Sequence, residues 1–408
     1  MATGNQGFEG GQIFNRTDLA VRLAKQVLHV SPTSASSSGL FLAAPRRTGK
    51  TTFMRADFAP ALESQGARVI YVDLWADRKA DPGEVIVAAI RTELAKSEFT
   101  LTKLAKSIGI AGAKLGGVDF SLDRIGLGRD VSLVQALAAL SDEAKSPIVL
   151  IIDEAQQAIT TQQGNDAMFS LKAARDDLNA AHFGLRVVCT GSNRDKLAML
   201  RASKDQAFFG APLIDFPPLG DDYVKWFCEN TTDLPAKLTP GLIAPLFRQA
   251  GNRPEILGSA ADQLRFDLSL EPEDVGRRFT EVVEEQIAQA NDDLLDVFHS
   301  LTPIQSAVLR VLAATGKGYA PFESRTQEKY RIALQDSPGD TELSSANVQQ
   351  ALTALQEKGL VWRASRGVYA MEDYSLSDLL KREGYLDGLD GPDGDGETTG
   401  PPTRRMRG

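Results

Sequence analysis

The chain has 408 residues, 42% hydrophobic and 24% charged, with a formal net charge of −9. That length calls for two or three domains rather than one core, and the acidic balance excludes a basic footprint spread over the whole protein while leaving room for a local patch. No apolar run is long enough to span a membrane, and no secretory segment follows Met1. Cys189 and Cys228 stand far apart in apolar settings, and His29, His182 and His299 are scattered, so no metal-ligand spacing exists. A reducing, cytoplasmic setting is the expectation.

In chain order, the first dozen residues are Gly-rich and polar. "IFNRTDLAVRLAKQVL" then carries Leu19, Val21, Leu23 and Val27 at helical spacing, with Asn15 or Thr17 as caps. Beyond the loop "SPTSASSSG", apolar strands alternate with helices. The strands read as Leu40–Ala43, Arg68–Leu74, Ile148–Ile152, Leu185–Thr190 and Pro212–Phe216. The pattern predicts an α/β fold, a three-layer αβα domain with a largely parallel five-stranded sheet. Residues 1–35 are the N-terminal segment and its helix, 36–220 the αβα core, and 221–300 a helical unit whose last helix is long. Within the core, residues 107–128 form a glycine-rich insert. Its Ile108, Ile110, Leu115, Val118 and Phe120 either pack on the core or meet a partner.

A third unit spans 301–375. "TPIQSAVLRVLAATG" is one helix and "SSANVQQALTALQEKG" another, stopped by Gly359. "LVWRASRGVYAMED" gives two short strands around Ser365-Arg366-Gly367. Helix, helix, then hairpin is the winged-helix order. Residues 376–408 read as a mostly disordered acidic, Gly-rich tail.

"AAPRRTGKTT" sits between an apolar strand and an amphipathic helix. Gly49-Lys50-Thr51 fits the end of a phosphate-binding loop, but Ala44 holds the place of its first glycine. Alanine is tolerated there if its φ is negative, since only positive φ calls for glycine. Pro45, Arg46, Arg47, Thr48, Gly49, Lys50, Thr51 and Thr52 then form the nucleotide cradle, Lys50 reaching the β/γ-phosphates and Thr51 offering its hydroxyl to Mg²⁺. Downstream, the apolar run "SPIVLIIDEAQ" delivers Asp153 and Glu154 to the sheet's C-terminal edge, where open α/β sheets bind ligands. Asp153 is the Mg²⁺ residue and Glu154 the general base for the attacking water. After "LRVVCTGSN", either Ser192 or Asn193 orients that water, or the segment is a turn and helix cap. In "GNRPEIL", Arg253 either folds over the phosphates or is an exposed structural arginine.

Together "PRRTGKTT", "IIDEAQ", "VVCTGSN" and "GNRPEIL" resemble the AAA+ P-loop ATPases, in particular the prokaryotic and archaeal group related to the origin-recognition and initiator clade. The resemblance spans roughly Phe14 to Leu257. It implies ATP in a cleft between the αβα core and a helical lid at 221–300, with Phe14 and Arg16 of "FNRTDL" bordering the base. Relatives often carry Gly-Arg where this chain has Gly210-Ala211, so no arginine finger is assigned, and Arg194 and Arg201 are only the arginines at hand.

In the C-terminal unit, Val348, Ala351, Leu352 and Leu355 make an inward stripe on the second helix. Ser345, Asn347, Gln350 and Thr353 face outward as groups able to read base edges, and Arg363 and Arg366 sit on the wing. Between Leu301 and Leu380, however, eight Lys/Arg face nine Asp/Glu, which weakens phosphate-driven affinity. Two expectations follow. One is an ATP-binding, Mg²⁺-dependent ATPase switch that engages double-stranded DNA through the winged helix, with self-association or a protein partner adding contacts and no membrane role. The other is a STAND-like signalling scaffold whose ATP state gates protein contacts without DNA.

Overall fold

Five apolar stretches form one all-parallel sheet in the order β2-β3-β4-β1-β5. They are β1 Leu40–Ala43, β2 Arg68–Asp73, β3 Ile148–Asp153, β4 Leu185–Gly191 and β5 Leu213–Asp215. A computed structural model describes residues 13–29, 35–77, 79–97, 125–201, 206–335, 342–365 and 367–389, with Thr100, Leu104 and Asp123. The chain forms two units, Met1–Glu285 and Gln286–Gly408, divided inside the helix Val275–His299.

The three layers follow from strand periodicity. Every residue of β3 is buried. Ile148, Leu150 and Ile152 join one core cluster, Val149 and Ile151 the other, as a strand covered on both faces requires. One face carries the helices Pro82–Ala95, Leu133–Ala144 and Gln162–Ala181 through Ile86, Leu137 and Leu171. The opposite face carries Thr17–Leu28 and the helix that begins at Lys50, through Leu23, Phe53 and Leu62. Thr17–Leu28 buries Ala20, Leu23, Ala24 and Val27, while Val21 is 45% exposed. The stripe is i, i+3, i+4, i+7 with two alanines in it, and Val21 falls outside it. Neither Asn15 nor Thr17 caps this helix; Arg16 holds the cap position, with no side chain bonding to the helix's first N–H groups.

The helix after the first loop is interrupted. Lys50–Phe53 passes into a π-helical turn, Met54–Phe58, before Ala59–Ser64 resumes. Asp57 in that turn accepts the Arg16 backbone N–H (3.1 Å), tying the N-terminal segment to this helix. After the sheet come Asp221–Asn230, Pro240–Gln249 and Pro254–Arg265, the first two packed through Tyr223 against Phe247. Ile108, Ile110, Leu115, Val118 and Phe120 of the glycine-rich stretch lie outside the described residues. Ile125, close to its end, is buried and bridges to Val131.

The second unit holds helices Pro303–Thr315, Ser324–Leu334 and Ser345–Glu357, then the antiparallel pair β6 Val361–Ser365 and β7 Val368–Met371. Thr302 and Gln305 form a capping box for the first, and Ser344 caps the third. Val348, Ala351, Leu352 and Leu355 are buried, matching the expected stripe. The middle helix does not show in the apolar pattern because it buries Thr326, Tyr330 and Ala333 rather than aliphatic side chains. A last helix, Tyr374–Arg382, buries Leu376, Leu379 and Leu380, and Leu386 and Leu389 beyond it are also buried. Ordered packing thus reaches to Leu389, past residue 376 where the sequence suggested a disordered tail; 390–408 lie outside the described residues.

Candidate nucleotide and catalytic site

Parallel register brings three strand ends side by side. Ile152 pairs with Cys189, and Leu42 and Ala43 pair with Thr190 and Gly191. The loop leaving β1, the acidic pair leaving β3 and the polar end of β4 therefore share one edge. The Ala44 N–H donates to the Gly191 carbonyl (3.1 Å), extending the β1–β4 ladder by one residue. Ala44 is not among the residues with positive φ, so no glycine is needed there. The left-handed positions are Arg47 (φ 63°) and Gly49 (φ 80°). Thr48 fastens the turn by donating from Oγ1 to the Pro45 carbonyl (2.8 Å). The helix starts at Lys50, so its unpaired first-turn N–H groups lie beside Lys50, Thr51 and Thr52.

Lys50 is 5% exposed. Its Nζ donates to Asp153 Oδ1 (3.0 Å) and Glu154 Oε1 (2.8 Å), so one buried ammonium bridges both carboxylates. Asp153 Oδ2 accepts from Thr51 Oγ1 (2.6 Å) and from the Tyr71 hydroxyl (2.9 Å). Asp153 Oδ1 also accepts from Thr190 and from the Glu154 backbone N–H (3.0 Å). Burial pushes the Asp153 carboxyl up, but the Lys50 charge and the hydroxyls of Thr190 and Thr51 outweigh it and hold the group at about 2. Burial, with the Asp153 charge next, drives the Tyr71 phenol up, so it stays a donor.

Glu154 sits at positive φ (53°), opening the tight turn Ala155–Thr160. Its Oε2 accepts from Ser192 Oγ (2.8 Å) and from the Gln156 amide. Arg46 reaches the same network, its Nε 3.4 Å from Ser192 Oγ and its guanidinium 4.3 Å from the Trp75 ring centroid.

The remaining sequence candidates divide. Ser192 contacts Glu154, whereas Asn193 accepts from the Lys196 backbone N–H (2.9 Å) and caps the helix Arg194–Met199. Arg253 precedes the helix Pro254–Arg265 and pairs with Glu255 (2.7 Å). Phe14 packs against Tyr223 and Trp226, with ring centroids 5.4 and 5.6 Å away. Arg16 donates to the Pro217 carbonyl (2.8 Å) and lies over the Phe216 ring at 4.9 Å. Arg194 pairs with Asp215. Tyr71, Thr190 and Gln156 were missed by sequence reading. Tyr71 and Thr190 lie within apolar strands and carry no motif signal, while Gln156 stands in "DEAQ" but has no assigned chemistry there.

In the second unit Ser345 and Gln350 are exposed. The Asn347 amide donates to the Glu342 carbonyl (2.9 Å), and the Arg363 guanidinium lies 6.0 Å from the Tyr369 ring centroid. Arg366 lies outside the described residues.

The donor set suits Mg²⁺, which takes hard oxygen ligands through one or two carboxylates plus phosphate. The Thr51 hydroxyl and the Asp153 carboxylate are such oxygens, already adjacent at the mouth of the loop.

A parallel five-stranded sheet with a lysine-bearing loop after one strand and an acidic pair after another is the arrangement of the P-loop fold. The chain is similar to a Walker-type ATPase of Pyrococcus abyssi, with a TM-score of 0.52 and 18% identity over 90% of this chain and 96% of that one. It also aligns with the ORC2 protein of Aeropyrum pernix in its ADPNP–ADP complexes (TM-score 0.43, 14% identity, 95% and 96% covered). The ORC1 protein of the same organism in complex with DNA gives a TM-score of 0.35 at 16% identity, with 92% and 94% covered. No protein-family model matches the chain, and no curated protein matches it by sequence. The fold is that of the AAA+ P-loop ATPases, and the expectation from the four motifs holds at that level. Among the described residues no helix is long and apolar enough to cross a membrane.

Proposed function

We propose that the protein binds ATP and hydrolyses it with Mg²⁺, using the nucleotide state as a switch. The observation that carries this is the Lys50–Asp153–Glu154–Thr51 cluster, four side chains from two strand ends joined at hydrogen-bond distance on the C-terminal edge of the sheet. Mg²⁺, when bound, would neutralise phosphate charge, with Thr51 and Asp153 as its protein-side oxygens. Lys50 exchanges its two carboxylates for phosphate oxygens. Glu154 takes a proton from water as the water oxygen bonds to the γ-phosphorus; the bond to the β–γ bridging oxygen breaks, and ADP and phosphate leave. Ser192, bonded to Glu154, orients the base or the water. Phe14 and Arg16 border the adenine, and Arg253 turns from Glu255 to the phosphates when the helical lid closes.

The switch acts on double-stranded DNA through the second unit, read as a winged helix, with Ser345, Gln350 and Asn347 of its third helix and Arg363 and Arg366 of its hairpin as contacts. The exposed polar face of Ser345–Glu357 supports this reading. A second reading, a STAND-like scaffold that gates protein contacts, is favoured by the bond that ties the Asn347 amide to the Glu342 carbonyl and by the eight Lys/Arg against nine Asp/Glu between Leu301 and Leu380. Turnover of ATP with and without double-stranded DNA separates the two, with Lys50→Ala and Glu154→Gln as controls. Stimulation abolished by both substitutions supports the DNA-coupled switch. Turnover indifferent to DNA favours the scaffold, and failure of the wild type to bind ATP by calorimetry removes both.

A further inference from the structure

Both oxygens of Glu154 are engaged, one by Lys50 and the other by Ser192 and Gln156. Gln156 is 1% exposed, and its Nε2 also lies 3.4 Å from Ser192 Oγ, so three side chains from two loops close a small ring around Glu154 Oε2. The other end of the amide is unsatisfied: Gln156 Oε1 is buried and meets no donor. A buried orphan carbonyl is destabilising, and native proteins keep such groups where something other than stability is served. The fold also makes room for this amide. A Cβ at Gly191 would stand 2.2 Å from Gln156 Oε1 and 2.8 Å from Leu197 Cγ. Glycine is needed at 191 for space rather than for φ.

The geometry points to Gln156 as a positioning residue for Glu154. Its N–H holds Oε2, so that Oε1, now on Lys50, is the oxygen turned to the attacking water when Lys50 moves to the phosphates. This rests on the ATPase reading above. Without the amide, Ser192 alone would hold the carboxylate at the moment Lys50 leaves; with it, Oε2 keeps two donors. The residue type matters. Glutamate in place of Gln156 would keep the shape but set an acceptor where the amide N–H now donates to Oε2. Methionine would fill the space and leave Oε2 to Ser192 alone.

The test measures kcat for ATP turnover, binding of a non-hydrolysable ATP analogue, and thermal melting, on full-length wild type, Gln156→Met and Gln156→Glu. Gln156→Met is expected to lose about 10- to 100-fold in kcat, the worth of one hydrogen bond to a charged group, while analogue binding is unchanged. Gln156→Glu keeps the shape of the side chain but removes the donor, and is expected to lose kcat at least as far as Gln156→Met, with analogue binding unchanged. A packing role alone would lower the melting temperature and leave the kcat of both variants near wild type well below that temperature. Gly191→Ala, which expels the amide by space alone, is expected to reproduce the kcat loss. The proposal is overturned if the wild type turns over ATP while Gln156→Met or Gln156→Glu keeps the wild-type kcat. If Gln156→Met does not fold, the kcat of Gln156→Glu decides. A wild type that binds ATP without turning it over overturns the hydrolysis reading and this proposal together.

Discussion

The sheet edge of the first unit and the third helix of the second use polar residues in opposite ways. At the sheet edge, Lys50, Asp153, Glu154 and Gln156 are all buried and bond to one another. On the Ser345–Glu357 helix the polar residues lie toward solvent or bond to nearby backbone, as Asn347 does to Glu342 and Thr353 to the Gln349 carbonyl (3.0 Å). Burying charges is costly unless each finds a partner, so the first arrangement marks chemistry more strongly than the second. An outward polar face is compatible with DNA, with protein, or with plain solvation, which is why the second unit carries a proposal with two readings.

The sharpest way to break this contrast is Glu154→Gln. Loss of the base should lower ATP turnover by about 10²- to 10⁴-fold with ATP binding retained, measured by single-turnover hydrolysis and calorimetry. Undiminished turnover would remove Glu154 from the chemistry.

Next in size is Leu352→Ala, at a fully buried position of the third helix. It should destabilise the second unit by about 2–5 kcal/mol. Thermal melting of the full chain should show the second unit's transition moving, and ATP binding by the first unit unchanged.

Asp153→Asn probes the buried charges through pH. The folded carboxyl is held at about 2 against an ordinary 3.8, so the ionised form contributes stability that is complete above the ordinary value and lost as pH falls through about 2. The difference in melting temperature between wild type and Asp153→Asn should therefore be flat at neutral pH and change steadily through the acid range between those two values. A difference independent of pH there would show that Lys50 does not depress Asp153.

The smallest effect is expected at the exposed face. Ser345→Ala with Gln350→Ala should leave stability within about 0.5 kcal/mol and weaken double-stranded DNA binding by about fivefold to tenfold, read by fluorescence anisotropy at fixed salt. Unchanged DNA affinity would favour the protein-partner reading.

The five strands, the phosphate loop and the acidic pair were legible because each is local. Strand periodicity places Ile148–Ile152, and the run Gly49-Lys50-Thr51 needs only the strand before it and the helix after it. The outcome at Ala44 was legible only as a condition on φ, which the backbone meets. Elsewhere the choice between local alternatives depended on through-space neighbours. Asn193 and Ser192 are adjacent and both polar, yet Asn193 caps its own helix and Ser192 reaches Glu154. Arg253 pairs with Glu255 only two residues on, a contact set by the backbone turn into the helix at Pro254.

The sequence by itself determined the alternation of strand and helix, the loop at Lys50 and the acidic end of β3, since these follow from hydrophobic period and from residues close in the chain. Tertiary structure decided the ring of contacts around the acids. Register carried Tyr71 from β2, Thr190 from β4 and Ser192 from the loop beyond it to the end of β3. Such convergence of residues distant in the chain is a property of strand order and pairing, which no local pattern encodes.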